Sequence, residues 1–425
     1  MSVFLYNIGI GIYIFSIQIA AFFNTKARLW VQGRRAWRTR YVTDWQRINP
    51  GGVPCVWVHC ASLGEFEQGR PVIERLKKEF ATVKILLTFF SPSGYEIKKG
   101  YDRADYICYL PADSLANALT FIGLFKPVLS IFVKYEFWYH YLHILQKRNI
   151  PTLLLSAVFR ENQLFFKWYG GLFKSLLFKF YHIFVQNQTS IKLLQSIGLK
   201  DVTLSGDTRV DRVVQMSQEA QTSPSVSAFV EDKNVLIIGS SWQADEAILS
   251  PFINQYLPAD WKVILAPHDI SENHLRQIEK KLSTSTVRYS KTSERNIFDA
   301  KVLLIDNIGM LAALYQYGKI AYIGGGFGAG IHNILEPIAF GLPVLFGPRF
   351  QKFEEAIQLT RQGGAFVIYN SVDFRRVFFS LQTDESYRKA ATIASNYIRS
   401  NQGASDQIIQ FIQKHRLLNF EPLNH

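Results

Sequence analysis

Cysteine is almost absent: Cys55, Cys60 and Cys108 are the three in 425 residues. So sparse and odd a set offers no disulfide framework and fits a reducing compartment. His59 between Cys55 and Cys60 invites a metal reading. Residues 55 and 60 face opposite sides of a strand, however, so buried thiols are expected and no metal is assigned. A Walker lysine loop, an HExxH helix, a nucleophile elbow and paired cysteine clusters are all missing, which removes the commonest nucleotidase, zinc-protease and serine-hydrolase readings. Acids are outnumbered, 34 against 47 lysines and arginines, for a net charge of +13. Nucleic acid, an anionic membrane and phosphorylated small molecules all suit that sign.

Charge is also missing from the first 25 residues, and VFLYNIGIGIYIFSIQIAAFF is long enough to cross a bilayer as a helix. Lys26, Arg28, Arg34, Arg35, Arg38 and Arg40 follow at once, with Asp44 the first acid. A cleaved signal peptide carries its positive charge ahead of the apolar stretch. Charge placed wholly behind it predicts an anchor with Met1 outside and the body in the cytoplasm. A helix lying in a groove of the body is the alternative. Residues 163–184, QLFFKWYGGLFKSLLFKFYHIF, read either as a second strip at the membrane headgroups or as a core helix with snorkelling lysines.

The abundant residues are apolar, 48% of the chain, including 33 Phe and 20 Tyr. They support a large core, and 425 residues suit two α/β domains. Apolar runs at 53–59, 84–90, 106–110, 128–133, 152–156 and 182–186 alternate with helical patterns, among them 164–180. The rhythm fails over 207–232, then resumes at 234–239, 262–266, 302–306, 320–325, 343–346 and 365–369. This is the pattern of parallel, doubly wound sheets. The expected organisation is an anchor over 1–25, a basic juxtamembrane segment over 26–50 and a first Rossmann-like domain over 51–206. A linker over 207–232, a second Rossmann-like domain over 233–400 and a C-terminal helix within 401–425 that packs back complete it. Two such lobes facing one another form a cleft, and ligands of open α/β sheets sit beyond the carboxyl ends of the strands.

Polar residues at those strand-to-helix junctions therefore carry the functional reading. In HCASLGEFEQGRP, 59–71, a strand ends near His59, Ser62 and Gly64 make the turn, and Glu65 falls in the first helical turn. Free backbone N–H groups favour an anion there, and a carboxylate facing a cleft can take a proton from a hydroxyl. A helix acid with no chemical role is the alternative. In GGGFGAGIHNILEP, 324–337, Gly325 and Gly326 allow close approach of a ligand. A helix expected to begin near His332–Asn333 aims N–H groups at a phosphate. Asn333 and Glu336 fit a capping box, or Glu336 binds ribose hydroxyls. The dinucleotide fingerprint is not met, since Ala329 replaces its last glycine. Ser240 and Ser241, His268, and Arg209 stand at other junctions as anion contacts.

Taken together, the motifs resemble the 3-deoxy-D-manno-octulosonic acid (Kdo) transferases of lipid A core assembly. The resemblance rests on ASLGE at 61–65, LTFFSPSGYE at 87–96, EFW at 136–138, VQNQTS at 185–190 and GDTRVD at 206–211. It continues through SSWQADE at 240–246, GGGF and HNILEP within 324–337, LPVLFGP at 342–348 and SNQGA at 400–404. It implies a two-lobed B-type glycosyltransferase behind a membrane anchor, with its body on the cytoplasmic face of a bacterial inner membrane. CMP-Kdo is the implied donor, a lipid A precursor the acceptor, and the transfer inverting and metal-independent. Glu65 matches the family's base. Ser240, Ser241, Gly325, Gly326, Asn333 and Glu336 match the nucleotide side, and Arg209 stands where a lysine is usual. Ser62, Gly64, Glu136 and Arg160 fall on the acceptor side or support it. Lys134 replaces an acid, His268–Asp269 replaces an arginine–histidine pair, and paired arginines near Val158 are missing. Rival readings are another sugar-nucleotide transferase of this fold and a non-catalytic binder of anionic lipid. Nucleic acid is not expected, because the basic residues do not interleave with aromatics on one surface.

Overall fold

Unbroken apolar runs have no polar face to show to water, so they settle as strands covered on both sides, and parallel pairing follows. The computed structural model describes residues 3–293 and 297–418. The chain forms two compact units, one running to Asp211 and resuming at Gly403, the other spanning Arg212–Gln402.

The first unit is built on Cys55–Cys60 (β1), Lys84–Phe89 (β2), Tyr106–Tyr109 (β3), Pro127–Val133 (β4), Thr152–Ala157 (β5), His182–Val185 (β6) and Val202–Leu204 (β7). All seven are parallel in the order β3-β2-β1-β4-β5-β6-β7. Strand order reverses between β1 and β4, and that switch opens a crevice at their carboxyl ends. One face buries Trp57, Phe121, Phe132 and Tyr141, and the other Phe66, Leu87 and Ile131.

The second unit repeats the plan with Asn234–Ser241 (β8), Trp261–Pro267 (β9), Thr286–Arg288 (β10), Val302–Leu304 (β11), Ile320–Ile323 (β12), Val344–Phe346 (β13) and Ala365–Val367 (β14). The order is β10-β11-β9-β8-β12-β13-β14, again all parallel. Its switch point falls between β8 and β12.

Four N-terminal helices bear on function: Val3–Ala20 (α1), Thr25–Gly33 (α2), Trp37–Ile48 (α3) and Leu63–Glu79 (α4). The first is long and apolar enough to cross a membrane, with a mean hydropathy of 1.7. Tyr6 donates to Asp113 at 2.6 Å, and Asn7 meets His140 Nε2 at 2.6 Å. The 26–50 stretch is less a free basic segment than a packed part of the first unit, since Trp30, Trp37, Tyr41 and Trp45 are buried. Arg34, read as juxtamembrane charge, is buried too. It donates to the carbonyls of Leu110 at 2.8 Å and Phe90 at 2.7 Å beneath the Trp30 ring. Burial lowers its guanidinium to about 10.

Residues 207–232 carry the helices Thr208–Gln218 and Pro224–Val230. Asp211 accepts from the amides of Gly403 at 2.5 Å and Ser405 at 2.6 Å. The helix Ala404–Lys414 then lays Ile408, Ile409 and Ile412 into the first unit's core.

The expected helix 164–180 is broken. A 3₁₀ turn covers Leu164–Phe166 and a short helix Gly171–Leu177. Gly170 explains the break, because a Cβ there would lie 1.7 Å from the Leu164 carbonyl oxygen. Phe165, Leu176, Leu177 and Phe180 are core, while Trp168 stays 94% exposed.

Candidate active site

The first unit gathers polar side chains at the carboxyl ends of β1, β4 and β5. His59, next to last in β1, is wholly buried. Ser62 then leaves the strand in an extended conformation and N-caps α4. Its hydroxyl donates to the carboxylate of Glu65, in the first helical turn. Ala61 fixes this turn from behind, its carbonyl accepting from Phe90 at 3.2 Å and Ser91 at 2.7 Å. Gly64 is exposed, and a Cβ there would meet only the Ser62 hydroxyl at 3.8 Å. Glycine is therefore not sterically required at 64.

Across the switch, Lys134 follows β4 with φ +62°, and Glu136 just beyond it faces His59 of β1. Glu136 Oε2 lies 3.1 Å from His59 Nε2 and accepts from Trp138 Nε1 at 2.7 Å. Thr88 Oγ1 is 2.8 Å from His59 Nδ1 and accepts from Trp57 Nε1, also at 2.8 Å. With the Thr88 hydroxyl donating to Nδ1, the imidazole proton sits on Nε2 and donates to Glu136. The result is one directed chain, Trp57 to Thr88 to His59 to Glu136, that fixes the carboxylate from inside the sheet.

Arg160 and Glu65 both act electrostatically on the Tyr135 phenol, which burial raises, Arg160 lowers and Glu65 raises. Both charges are thus felt at Tyr135. Arg209 is held by Asp207, which accepts from Nη2 at 2.6 Å and Nε at 2.9 Å. Burial alone would raise the Asp207 carboxyl, but Arg209 and then Lys134 hold it below its usual range. Asp207 and Asp211 are thus taken up by Arg209 and by the amides of Gly403 and Ser405. Cys55 and Cys60 are buried, and burial pushes both thiols up.

The second unit holds a cavity of about 320 Å³ at its own switch point. Ser240, Tyr315, His332, Asn333 and Glu336 are among its walls, and Gly309 and Leu311 close it. Ser240 sits at φ +53° at the end of β8. Ser241, expected beside it as an anion contact, points the other way. Its hydroxyl is buried and donates to Glu246 at 3.2 Å, which also meets His274 at 2.9 Å. A hydroxyl inside that triad supports β8 rather than a ligand.

Gly325 and Gly326 shape the cavity's surroundings without lining it. Gly325 has φ +91°, and a Cβ on Gly326 would lie 2.6 Å from the Gly347 backbone. The loop is held by Asp245, whose Oδ2 accepts from Gly325 N and Trp242 N, each at 2.9 Å. Arg349 grips it from outside through the Gly328 carbonyl at 2.5 Å. The helix after the loop starts at Leu335, later than expected, and runs only to Ala339. Asn333 Oδ1 accepts from Leu335 N at 3.1 Å, and its amide donates to Glu336 at 3.0 Å. Glu336 therefore meets the Asn333 side chain instead of completing a backbone capping box.

His268 stands outside the cavity in a ring stack. Its centroid is 4.3 Å from Trp242 and 4.7 Å from His332. His332 Nε2 accepts from Trp242 Nε1 at 3.0 Å. Burial, and after it His268, lowers the His332 imidazole, which keeps it neutral and able to accept. Asp269 turns back on its own loop, accepting from Ser271 N at 2.8 Å and from the Ser271 hydroxyl at 3.0 Å.

Sequence reading missed the 309–315 wall and the Asp245 clamp. Gly309 in the turn after β11 was the available signal, since that turn also lies at a strand's carboxyl end.

Two doubly wound parallel sheets, each with its polar residues at a switch point, are the parts from which B-type glycosyltransferases are made. A glycosyltransferase from Rickettsia africae has this fold, with a TM-score of 0.56 at 12% identity over 87% of this chain and 100% of its own. A UDP-GlcNAc 2-epimerase from Neisseria meningitidis bound to UDP-GlcNAc reaches a TM-score of 0.60 at 18% identity, covering 85% and 100%. Residues 35–212 match the family described as 3-deoxy-D-manno-octulosonic-acid transferase. The 3-deoxy-D-manno-octulosonic acid transferase of Aquifex aeolicus is 31% identical over 324 residues, 75% of this chain and 83% of that protein. The chain belongs to the 3-deoxy-D-manno-octulosonic acid transferase family.

Proposed function

We propose that this chain transfers Kdo from CMP-Kdo to a sugar hydroxyl of a lipid A precursor, with inversion, at the cytoplasmic face of a bacterial inner membrane. Family membership supports Kdo as the group moved. Glu65 takes the hydroxyl proton, the freed oxygen attacks C2 of Kdo, and the bond from C2 to the phosphate oxygen breaks with its electron pair leaving on CMP. The observation that carries this assignment is the setting of Glu65. It is a half-buried carboxylate at the carboxyl end of β1, steered by Ser62 and felt, like Arg160, at Tyr135.

The 320 Å³ cavity takes the nucleotide, with Ser240 and Asn333 supplying hydrogen bonds and Glu336 accepting from ribose hydroxyls. Gly325, Gly326 and His332 shape its mouth, and His268 stabilises the departing phosphate. Ser62, Glu136 and Arg160 orient the acceptor. The apolar α1 supports the membrane setting, and a phosphorylated acyl acceptor suits a chain of net charge +13.

Glu65→Gln tests the base. Turnover of CMP-Kdo with a lipid acceptor should fall by about 10³-fold, with CMP affinity unchanged in calorimetry. Near-normal turnover would remove Glu65 from that role.

A further inference from the structure

The helix α1 has two unlike sides. Phe4, Ile8, Ile12, Phe15 and Ile19 are exposed, Phe15 at 63%. At 3.6 residues per turn they form one stripe. Tyr6, Ile10 and Ile17 lie half-buried on the opposite stripe with Tyr13, itself 43% exposed, and Tyr6 and Tyr13 meet the protein. Tyr6 donates to Asp113 at 2.6 Å and Asn7 meets His140 at 2.6 Å. One turn and more along, the Tyr13 ring stacks on Phe90 at 6.1 Å and meets Trp30 at 6.4 Å.

These contacts are incompatible with a crossing helix. Asp113 is no loose surface acid, since it also accepts from the amides of His140 at 3.0 Å and Tyr141 at 3.2 Å. That fixes it in the loop between β3 and the helix Leu115–Phe125, against the first turn of the helix Tyr139–Lys147. Were Met1 on the far side of the bilayer, Tyr6 and Asn7 would lie most of a hydrocarbon thickness, about 30 Å, from the near surface. Their partners would have to follow them into lipid. Docking instead satisfies their polar groups on the body, as a low-dielectric setting demands.

We infer that α1 does not cross the membrane but lies along the first unit, in the plane of an anionic bilayer surface, with the Phe4–Ile19 stripe in the acyl region. An anionic bilayer is the occupant that fits, because the apolar stripe runs directly into the exposed cations Lys26, Arg28 and Arg35. Among the described residues nothing buries this stripe of the 18-residue helix. The inference deepens the membrane setting proposed above and rests on it.

Two arms on the full-length protein test it. In the first, a hydrophilic tag carrying one cysteine is fused ahead of Met1, and Lys78→Cys serves as a body reporter. The native cysteines are buried and give little background. Spheroplasts are treated with a membrane-impermeant maleimide before and after lysis. Both sites should label only after lysis. Tag labelling in intact spheroplasts with Lys78→Cys protected would overturn the inference. Labelling of both in intact spheroplasts would keep it and instead sink the cytoplasmic placement of the body. In the second arm, Ile12→Glu should weaken flotation with phosphatidylethanolamine–phosphatidylglycerol vesicles at least tenfold while the melting temperature stays put. Unchanged flotation would also overturn it.

Discussion

Asp245 Oδ2 accepts the amide hydrogen of Gly325 at 2.9 Å from the opposite side of the β8–β12 switch. The same carboxylate accepts from Trp242 N at 2.9 Å and, through Oδ1, from Tyr322 at 2.7 Å. One buried acid therefore ties the first loop of the second unit to its glycine-rich loop. Asp245→Ala strips three buried donors of their partner, at roughly 1–3 kcal/mol for each that water does not reach. We expect a loss of about 3 kcal/mol in urea unfolding and a raised KM for CMP-Kdo, because the Gly325 loop loses its tether.

The His59–Glu136 contact predicts a different outcome. His59→Phe preserves the buried ring but removes both ends of the bond chain from Thr88. Glu136 then keeps Trp138 alone of the two partners described here, and its carboxylate can swing. A shift of about 1 Å costs as much as 10²-fold in rate. Turnover should drop on that order with a smaller change in CMP affinity, whereas a merely structural role would move the melting temperature first.

Tyr315 is buried and its hydroxyl has no hydrogen-bond partner among the described residues. Burial, and after it Glu336, raises the phenol well above its ordinary value. Since it lines the 320 Å³ cavity proposed to take the nucleotide, Tyr315→Phe separates two roles. Removing an unpaired buried hydroxyl should leave stability unchanged or raise it by up to about 1 kcal/mol. If the hydroxyl bonds the nucleotide, CMP affinity falls about 5–10-fold in calorimetry at the same time.

His182 sets a pH dependence. Burial lowers its imidazole to about 4, with Asp201 opposing and His415 adding to the fall. The folded state therefore refuses a proton that the unfolded chain accepts near pH 6.5. Unfolding free energy should be flat above that value and decline as pH falls from 6.5 toward 4. His182→Phe keeps a ring against Phe411, whose centroid lies 4.3 Å away, and should flatten that part of the profile in denaturant titrations.

Much of this was readable because strands buried on both sides leave long apolar runs. β1 and β8 announce themselves that way, and Ser62, Gly64 and Glu65 mark the turn and helix that follow. β7 and β10 do not, since three residues each owe their pairing to β6 and β11 rather than to their own pattern. Residues 164–180 have helical periodicity, yet the packing of Gly170 on Leu164 decides against it. Arg34 shows the limit of charge counting, because its burial depends on the Leu110 and Phe90 carbonyls, far away in sequence. The same holds for Ser241 and Ser240, adjacent and chemically alike. The positive φ at 240 sends one to the cavity and the other to Glu246.

Asp211 and the amides of Gly403 and Ser405 bring together the two points where the chain leaves and re-enters the first unit. The intervening 191 residues, Arg212–Gln402, are in genetic terms a cassette spliced into a host whose cut ends already touch. A few residues of linker should bridge those ends without strain, so host and cassette can be expressed, exchanged between relatives and recombined at a single seam.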